Sequence, residues 1–308
     1  MQNRIHYTKC PLCGSQNISK ALEARDFTVS NELFTIMTCH HCKLRFTQDV
    51  PTEEAIGPYY KAEDYISHTN TSKGVINKMY QAVRNRTMDA KLKLVTEWTA
   101  LKYGNLLDLG SGVGTFAAHM RKAGWNTTSL EPDGDARERA KELYGLESKP
   151  ASELYSLSHG SYDAITLWHV LEHVHALPEM MVQLRSLLRE NGKLFIAVPN
   201  YTSLDAAIYE NYWAAYDVPR HLYHFSPAAM EFLTDKHNLK LIGMRRMWYD
   251  SFYISLLSSR YKKADKEHRA VAQVRPNLVG AFWNGLRSNL NAMGDVKKCS
   301  SIVYIVSK

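Results

Sequence analysis

The chain has 308 residues, 45% hydrophobic and 22% charged, the proportions of a globular protein with room for one large domain and one small one. The opening MQNRIHYTKC lacks the apolar stretch of a secretory leader, and no uncharged run is long enough to span a bilayer, so a cytoplasmic protein is expected. The net charge of +7 and a pI near 9.0 admit acidic partners, but spread over this length they read first as a basic, solvated surface and leave nucleic acid a secondary expectation.

In chain order, the first signal is cysteine. Four of the five cysteines form two close pairs, Cys10 and Cys13 in CPLC, then Cys39 and Cys42 in CHHC. Each C-x2-C turn places two thiolates on one side of a tight loop, and two such loops complete a closed, tetrahedral site for a structural zinc. The competing reading is reduced or redox-active thiols. With four thiolates available, His40 and His41 are not needed as ligands. The strand-like runs LFTIMTC and LRFTQ around the second pair predict a zinc ribbon over residues 1–50. Pro51 and Gly57-Pro58 mark a break. Residues 51–103 read as a linker and helices, with Val75, Met79, Val83, Met88 and Leu92 at helical spacing and the bases between them facing solvent.

From residue 104 to 308 strands and helices alternate, which predicts an α/β fold: a doubly wound, mostly parallel sheet with an antiparallel edge. NLLDL, TTSLEP, LESKP, YDAITLW and KLFIAVPN read as its first five strands. The helix ALPEMMVQLRSLLREN precedes the fifth and is closed by Gly192. A later helix starts at Ser226 as N-cap with Pro227 next. LKLIGMRRMWY and SSIVYIVSK supply the antiparallel edge, with Cys299 as a small buried hydrophobe. Between them lies NLVGAFWNGLRSNLNAM, read as core or lid first and as a lipid-contacting patch second.

The chemistry centres on NLLDLGSGVGTF, residues 105–116, a strand, a glycine turn and a helix start. Such a unit binds a nucleotide-like ligand. Its spacing is G-x-G-x-G (Gly110, Gly112, Gly114), not the G-x-G-x-x-G of dinucleotide sites. Asp108, two residues ahead, would repel a pyrophosphate and attract an ammonium or sulfonium. These features point to S-adenosylmethionine. Glu131 follows Gly110 by 21 positions, at the end of the next strand, where a carboxylate can accept from both hydroxyls of a ribose.

With LLDLGSGVGTF, SLEPD, SYDAITLWHVLEHV, IAVPN and VPRHLYHFS in this order, the chain resembles the class I S-adenosylmethionine-dependent methyltransferases. Within that class, a cysteine-rich N-terminus is similar to that of some sugar C-methyltransferases. The resemblance implies an Asp108 that serves the cofactor's ammonium, glycines that let the backbone approach its methionine part, and a Glu131 on its ribose. Ser111, Phe116, Pro132, Trp168 and His169 would border it, with Trp168 equally readable as core. HVLEHV sets His169, Glu172 and His173 on one turn. A related E-x-x-E-H cluster binds a divalent metal in quinone-pathway O-methyltransferases, and the alternative is that Glu172 and His173 cap and orient a helix start. VPRHLYHFS follows the fifth strand, on the acceptor side, so His221 is the expected base, set against a structural role in which it bonds a loop carbonyl, with His169 or His173 as substitutes. Arg220 is expected to hold a phosphate or carboxylate of the acceptor. The implied partner is a small-molecule acceptor, methylated at oxygen or carbon. The rivals are an rRNA or tRNA base methyltransferase and a non-catalytic cofactor-binding protein.

Overall fold

The computed structural model describes residues 3–60 and 75–308, with side chains left aside for 75–85. Of the helical residues anticipated before 99, Val75, Met79 and Val83 therefore lie outside the described side chains, and the segment 61–74 lies outside the described residues.

The main sheet has six strands: β6 (Asn105–Leu109), β7 (Asn126–Leu130), β8 (Tyr162–Trp168), β9 (Leu188–Pro199), β11 (Lys240–Arg246) and β12 (Ser301–Ser307), in the order β11-β12-β9-β8-β6-β7. β7, β6, β8 and β9 run parallel; β12 runs antiparallel to β9, and β11 at the edge pairs antiparallel with β12. The mostly parallel sheet with an antiparallel element expected from the sequence is present, with the reversed strand one position in from the edge. In β9, Phe195 and Ala197 pack on one face with Phe116 and Met120 of α2 (Thr115–Lys122) and Val95 of α1 (Val75–Thr99). Leu194, Ile196 and Val198 alternate onto the other face with Met181 and Leu184 of α4 (Leu177–Leu187) and Leu233 of α6 (Pro227–Lys236). A strand covered on both faces must be apolar at nearly every position, and the central β9 is over residues 194–198. Ser226 caps α6 by accepting from the Ala229 N–H at 3.2 Å.

Two elements differ from the sequence reading. LESKP is no third strand: it contributes one parallel bridge, Leu130 to Lys149, before the chain turns away. The helix meant to run to Gly192 stops at Leu187, and Leu188 already belongs to β9. Leu188 pairs with Tyr162 of β8, so a sheet position captures a residue whose local pattern is helical.

The N-terminal strands β2 (Ile18–Arg25), β3 (Leu33–Cys39) and β4 (Arg45–Thr47) form a second, antiparallel sheet, and β1 (Arg4–Ile5) pairs with β5 (Val50–Pro51). The fourth strand of the second sheet comes from far along the chain: β10 (Tyr223–His224) pairs with β4, Tyr223 opposite Phe46. Leu12, Leu44 and Phe46 share one apolar cluster with Leu222, Tyr223 and Phe225.

Candidate active site

The chain leaves β6 toward β7 on one side and returns past β6 to β8 on the other, so a crevice opens at the carboxyl end of β6. The glycine turn lies there. Gly110, Gly112 and Gly114 all have left-handed backbones, φ 63°, 54° and 76°. Only glycine enters this region without strain. The Gly110 and Ser111 N–H groups donate to the Leu130 carbonyl at 2.8 and 3.1 Å, stitching the turn to β7. A Cβ on Gly110 would lie 2.5 Å from Val170 Cγ2, and one on Gly114 would lie 2.8 Å from Leu146 Cδ1. At Gly112 a Cβ would meet nothing within 4 Å. The first and third glycines answer packing, whereas the second leaves an open approach for a ligand.

Two carboxylates flank this opening. Glu131 is buried and accepts from the Gly112 N–H at 2.7 Å and the Asp133 N–H at 3.0 Å. Asp108 is buried at the end of β6 and accepts from Thr166 Oγ1 at 2.7 Å. Burial pushes its carboxyl up to about 7, although the Thr166 hydroxyl and the Lys91 ammonium favour the ionised form. Pro132 follows Glu131, its carbonyl held by Arg137 at 2.7 Å. Phe116 meets Trp168 edge to face at 5.3 Å.

Lys91 was read as one of the solvent-facing bases of its helix. Instead its Nζ sits 4.1 Å above the Trp168 ring, and burial pulls the ammonium down to about 8 against the Asp108 and Asp250 carboxylates. The sequence gives a faint signal: Lys91 lies three residues after Met88 and one before Leu92, both on the buried stripe that packs on the sheet.

His169 adopts φ 58° and lies between two carboxylates, with Nε2 3.0 Å from Asp250 and Nδ1 3.4 Å from Glu172. Burial opposes its charge, but the two carboxylates outweigh it and push the imidazole up to about 10. It is a protonated bridge at neutral pH, which corrects the expectation that it could substitute as base. Asp250, 81 positions away, carried no signal in the sequence.

On the acceptor side, Glu172 and His173 gather with His221: one donor atom from each lies within 4.8 Å of the others. Glu172 and His173 sit on a short 3-10 turn, Leu171–His173, and not on the expected α-helix. Glu172 is buried, and beyond the 3.4 Å ion pair with His169 neither oxygen has a hydrogen-bond partner. His173 Nδ1 lies 3.0 Å from the Arg220 carbonyl, and burial, aided by His221, pulls its pKa down to about 4. His221 donates from Nδ1 to the Ala215 carbonyl at 2.8 Å, a bond that leaves Nε2 with its lone pair.

Arg220 is a correction. Its buried guanidinium binds Asp217 at 2.6 and 3.1 Å, Asp26 at 3.1 Å, the Tyr59 carbonyl at 2.9 Å and the Thr28 hydroxyl. A buried cation this well paired is a structural tie between the N-terminal sheet and the acceptor-side loop. All three guanidinium nitrogens are engaged in these bonds, which commits the charge to Asp26 and Asp217. Thr47 of β4 adds to the tie, donating to the His221 carbonyl at 2.7 Å.

The four cysteines converge as their spacing predicts. Cys10 and Cys42 sulfurs are 3.5 Å apart, as are Cys13 and Cys39, and all four lie within 4.8 Å of one another. Tetrahedral zinc with bonds of about 2.3 Å separates its sulfurs by about 3.8 Å, so the donor set fits that ion.

Comparison with known proteins agrees with this geometry. Residues 80–243, just over half of the chain, match the model of a methyltransferase domain family. The chain is 26% identical over 174 residues to a ubiquinone biosynthesis O-methyltransferase of Xanthomonas oryzae pv. oryzae (strain PXO99A), covering 52% of this chain and 72% of that protein. It is 30% identical over 123 residues to the protein of that name from Xanthomonas campestris pv. campestris (strain B100), covering 36% of this chain and 50% of that protein. Among solved structures it is similar to a SAM-dependent methyltransferase from Archaeoglobus fulgidus, at 16% identity and a TM-score of 0.47, over 72% of this chain and 94% of that one. The family match reaches from α1 through Asp108 and Glu131 to β11: the chain belongs to the methyltransferase domain family and is an enzyme that takes its methyl group from S-adenosylmethionine.

Proposed function

We propose that the enzyme methylates a small-molecule acceptor at oxygen or carbon and that His221 removes the acceptor's proton. The observation that carries this reading is a hydrogen bond of His221: Nδ1 is committed to the Ala215 carbonyl at 2.8 Å, so Nε2 is the nitrogen left to take a proton. The two O-methyltransferase relatives support oxygen as the accepting atom.

S-Adenosylmethionine supplies a methyl group on sulfonium sulfur, for in-line displacement by the acceptor. The protein's share is alignment and charge. Gly112 admits the ligand to the turn, and Asp108 offers negative charge to its cationic end. Glu131 accepts from the ribose hydroxyls, Lys91 faces the carboxylate, and Trp168 and Phe116 form a wall. The protonated His169, fixed by Asp250 and Glu172, holds that wall's neighbouring turn in place. Glu172 stabilises the imidazolium formed when His221 takes a proton. The four cysteines hold a structural zinc that keeps β4 against β10, next to His221.

The test is His221→Ala, assayed by S-adenosylhomocysteine release with a panel of phenols, catechols and sugar nucleotides. Turnover should fall by ~10²–10⁴ while cofactor affinity stays unchanged. Wild-type turnover in this variant would refute the assignment.

The Glu172 carboxylate, buried and without a hydrogen bond beyond its 3.4 Å ion pair with His169, favours a second reading of the same cluster. Glu172, His173 and His221 are a donor set for a divalent cation, although His169 stands at the first position of the E-x-x-E-H pattern. Loss of activity on chelation, restored by magnesium or zinc, would select it over the free base.

A further inference from the structure

The apolar segment around 277–293 plays no part in the methyl-transfer site. It forms α8 (Leu278–Ala292), packed in a hairpin against α7 (Asp250–Glu267), and its faces are reversed. The inward face is small and polar: Ala281, Gly285, Ser288, Asn289 and Ala292 are buried. Ser288 donates to the buried Asp205 at 2.7 Å, and Ser251 of α7 donates to Asn289 at 3.0 Å. The outward face carries Leu278, Val279, Phe282, Trp283, Leu290 and Met293, with Phe282 54% and Trp283 56% exposed. A helix that faced only water would show the opposite pattern. This corrects the expectation of a core helix. Among the described residues nothing covers this face.

The patch continues onto the start of α7. Phe252 stacks on Phe282 at 5.5 Å, and Trp248, Tyr249 and Tyr253 are exposed beside it. Its surroundings are strongly basic. Residues 245–298 hold eleven Lys and Arg against four Asp and Glu, so this segment carries the chain's entire net charge of +7 while the rest balances. Lys262, Lys263 and Lys266 of α7 and Arg287 of α8 are exposed. Aromatic and aliphatic side chains bordered by surplus cations match the headgroup region of an anionic bilayer. A second copy of the chain would bring the same positive charge against this one. Among the described residues no helix is long and apolar enough to cross a membrane, so the contact is with the surface.

We propose that the α7–α8 hairpin docks the enzyme on an anionic lipid bilayer. Asp250, the first residue of α7 and partner of His169 at 3.0 Å, then lies close to the headgroups. Resting on the small-molecule reading, the acceptor becomes one whose apolar tail is held in the membrane.

The test is flotation of the full-length protein with vesicles rich in phosphatidylglycerol, beside vesicles of phosphatidylcholine alone. The protein should float with the first, less with the second, and less again in high salt. Phe282→Ser with Trp283→Ser should cut the bound fraction about tenfold or more by removing apolar area. Arg287→Glu should weaken binding to the anionic vesicles only. S-Adenosylmethionine affinity measured on each variant keeps loss of fold separate from loss of docking. No flotation of the wild type, or equal flotation of the double variant, would overturn the proposal. So would a wild-type dimer that the double variant converts to monomer without any vesicle binding. Flotation without turnover on any membrane-held acceptor would leave docking standing and remove the acceptor class.

Discussion

Gly112→Ala isolates the ligand role of the glycine turn from its folding role. Gly112 has φ 54°, and an alanine held there costs about 1–2 kcal/mol of backbone strain. The added Cβ meets nothing within 4 Å, so no steric cost inside the fold is added. Melting should therefore drop by only a few degrees, since about 1 kcal/mol shifts a domain of this size by roughly 2–4 °C. The methyl group fills the open approach, and the N–H beside it is the one bonded to Glu131 at 2.7 Å. Affinity for S-adenosylmethionine should fall at least about tenfold, or ~1.4 kcal/mol. Gly110→Ala is the contrast: its Cβ would collide with Val170 Cγ2 at 2.5 Å, so it should lower stability well beyond backbone strain. Calorimetric titration and thermal melts on both variants separate the two effects. A Gly112→Ala protein that binds the cofactor like the wild type would refute the placement of the ligand at this turn.

Cofactor affinity should also depend on pH. Burial holds the Asp108 carboxyl at about 7, and a cationic ligand selects its ionised form, so affinity should fall as pH drops from 7 toward 5.5. Lys91, at about 8, is already protonated over that range and adds no slope of its own. Asp108→Asn should flatten the profile, and a profile that persists in this variant would assign the proton elsewhere. Removing the metal, or Cys13→Ser, should loosen the N-terminal sheet, because metal affinity there is folding free energy. Because β4 pairs with β10 and Thr47 holds the His221 carbonyl, turnover should fall before cofactor affinity does. Elemental analysis finding no zinc in freshly purified protein would count against the site.

What the sequence determined by itself is local. Three left-handed glycines after a buried strand, two C-x2-C turns, a Ser226-Pro227 helix start and alternating strand and helix periods are each encoded within a dozen residues, where backbone sterics and capping decide the outcome. Those signals gave the doubly wound sheet, the crevice at β6 and the cysteine cluster. What only the tertiary structure decided depends on groups far apart in the chain. Tyr223 and His224 complete a sheet begun at Ile18, Arg220 finds Asp26, and His169 finds Asp250. A side chain's charge state follows from burial and from such distant partners, so the sequence could place Lys91 on a solvated face and His169 as a spare base when packing makes one a buried cation near Asp108 and the other a bridge between two carboxylates. The same holds for α8. Its period is plain in the sequence, but which face turns inward was fixed by Asp205, Phe252 and Ser251, which pack best against small residues and leave the large apolar ones outside.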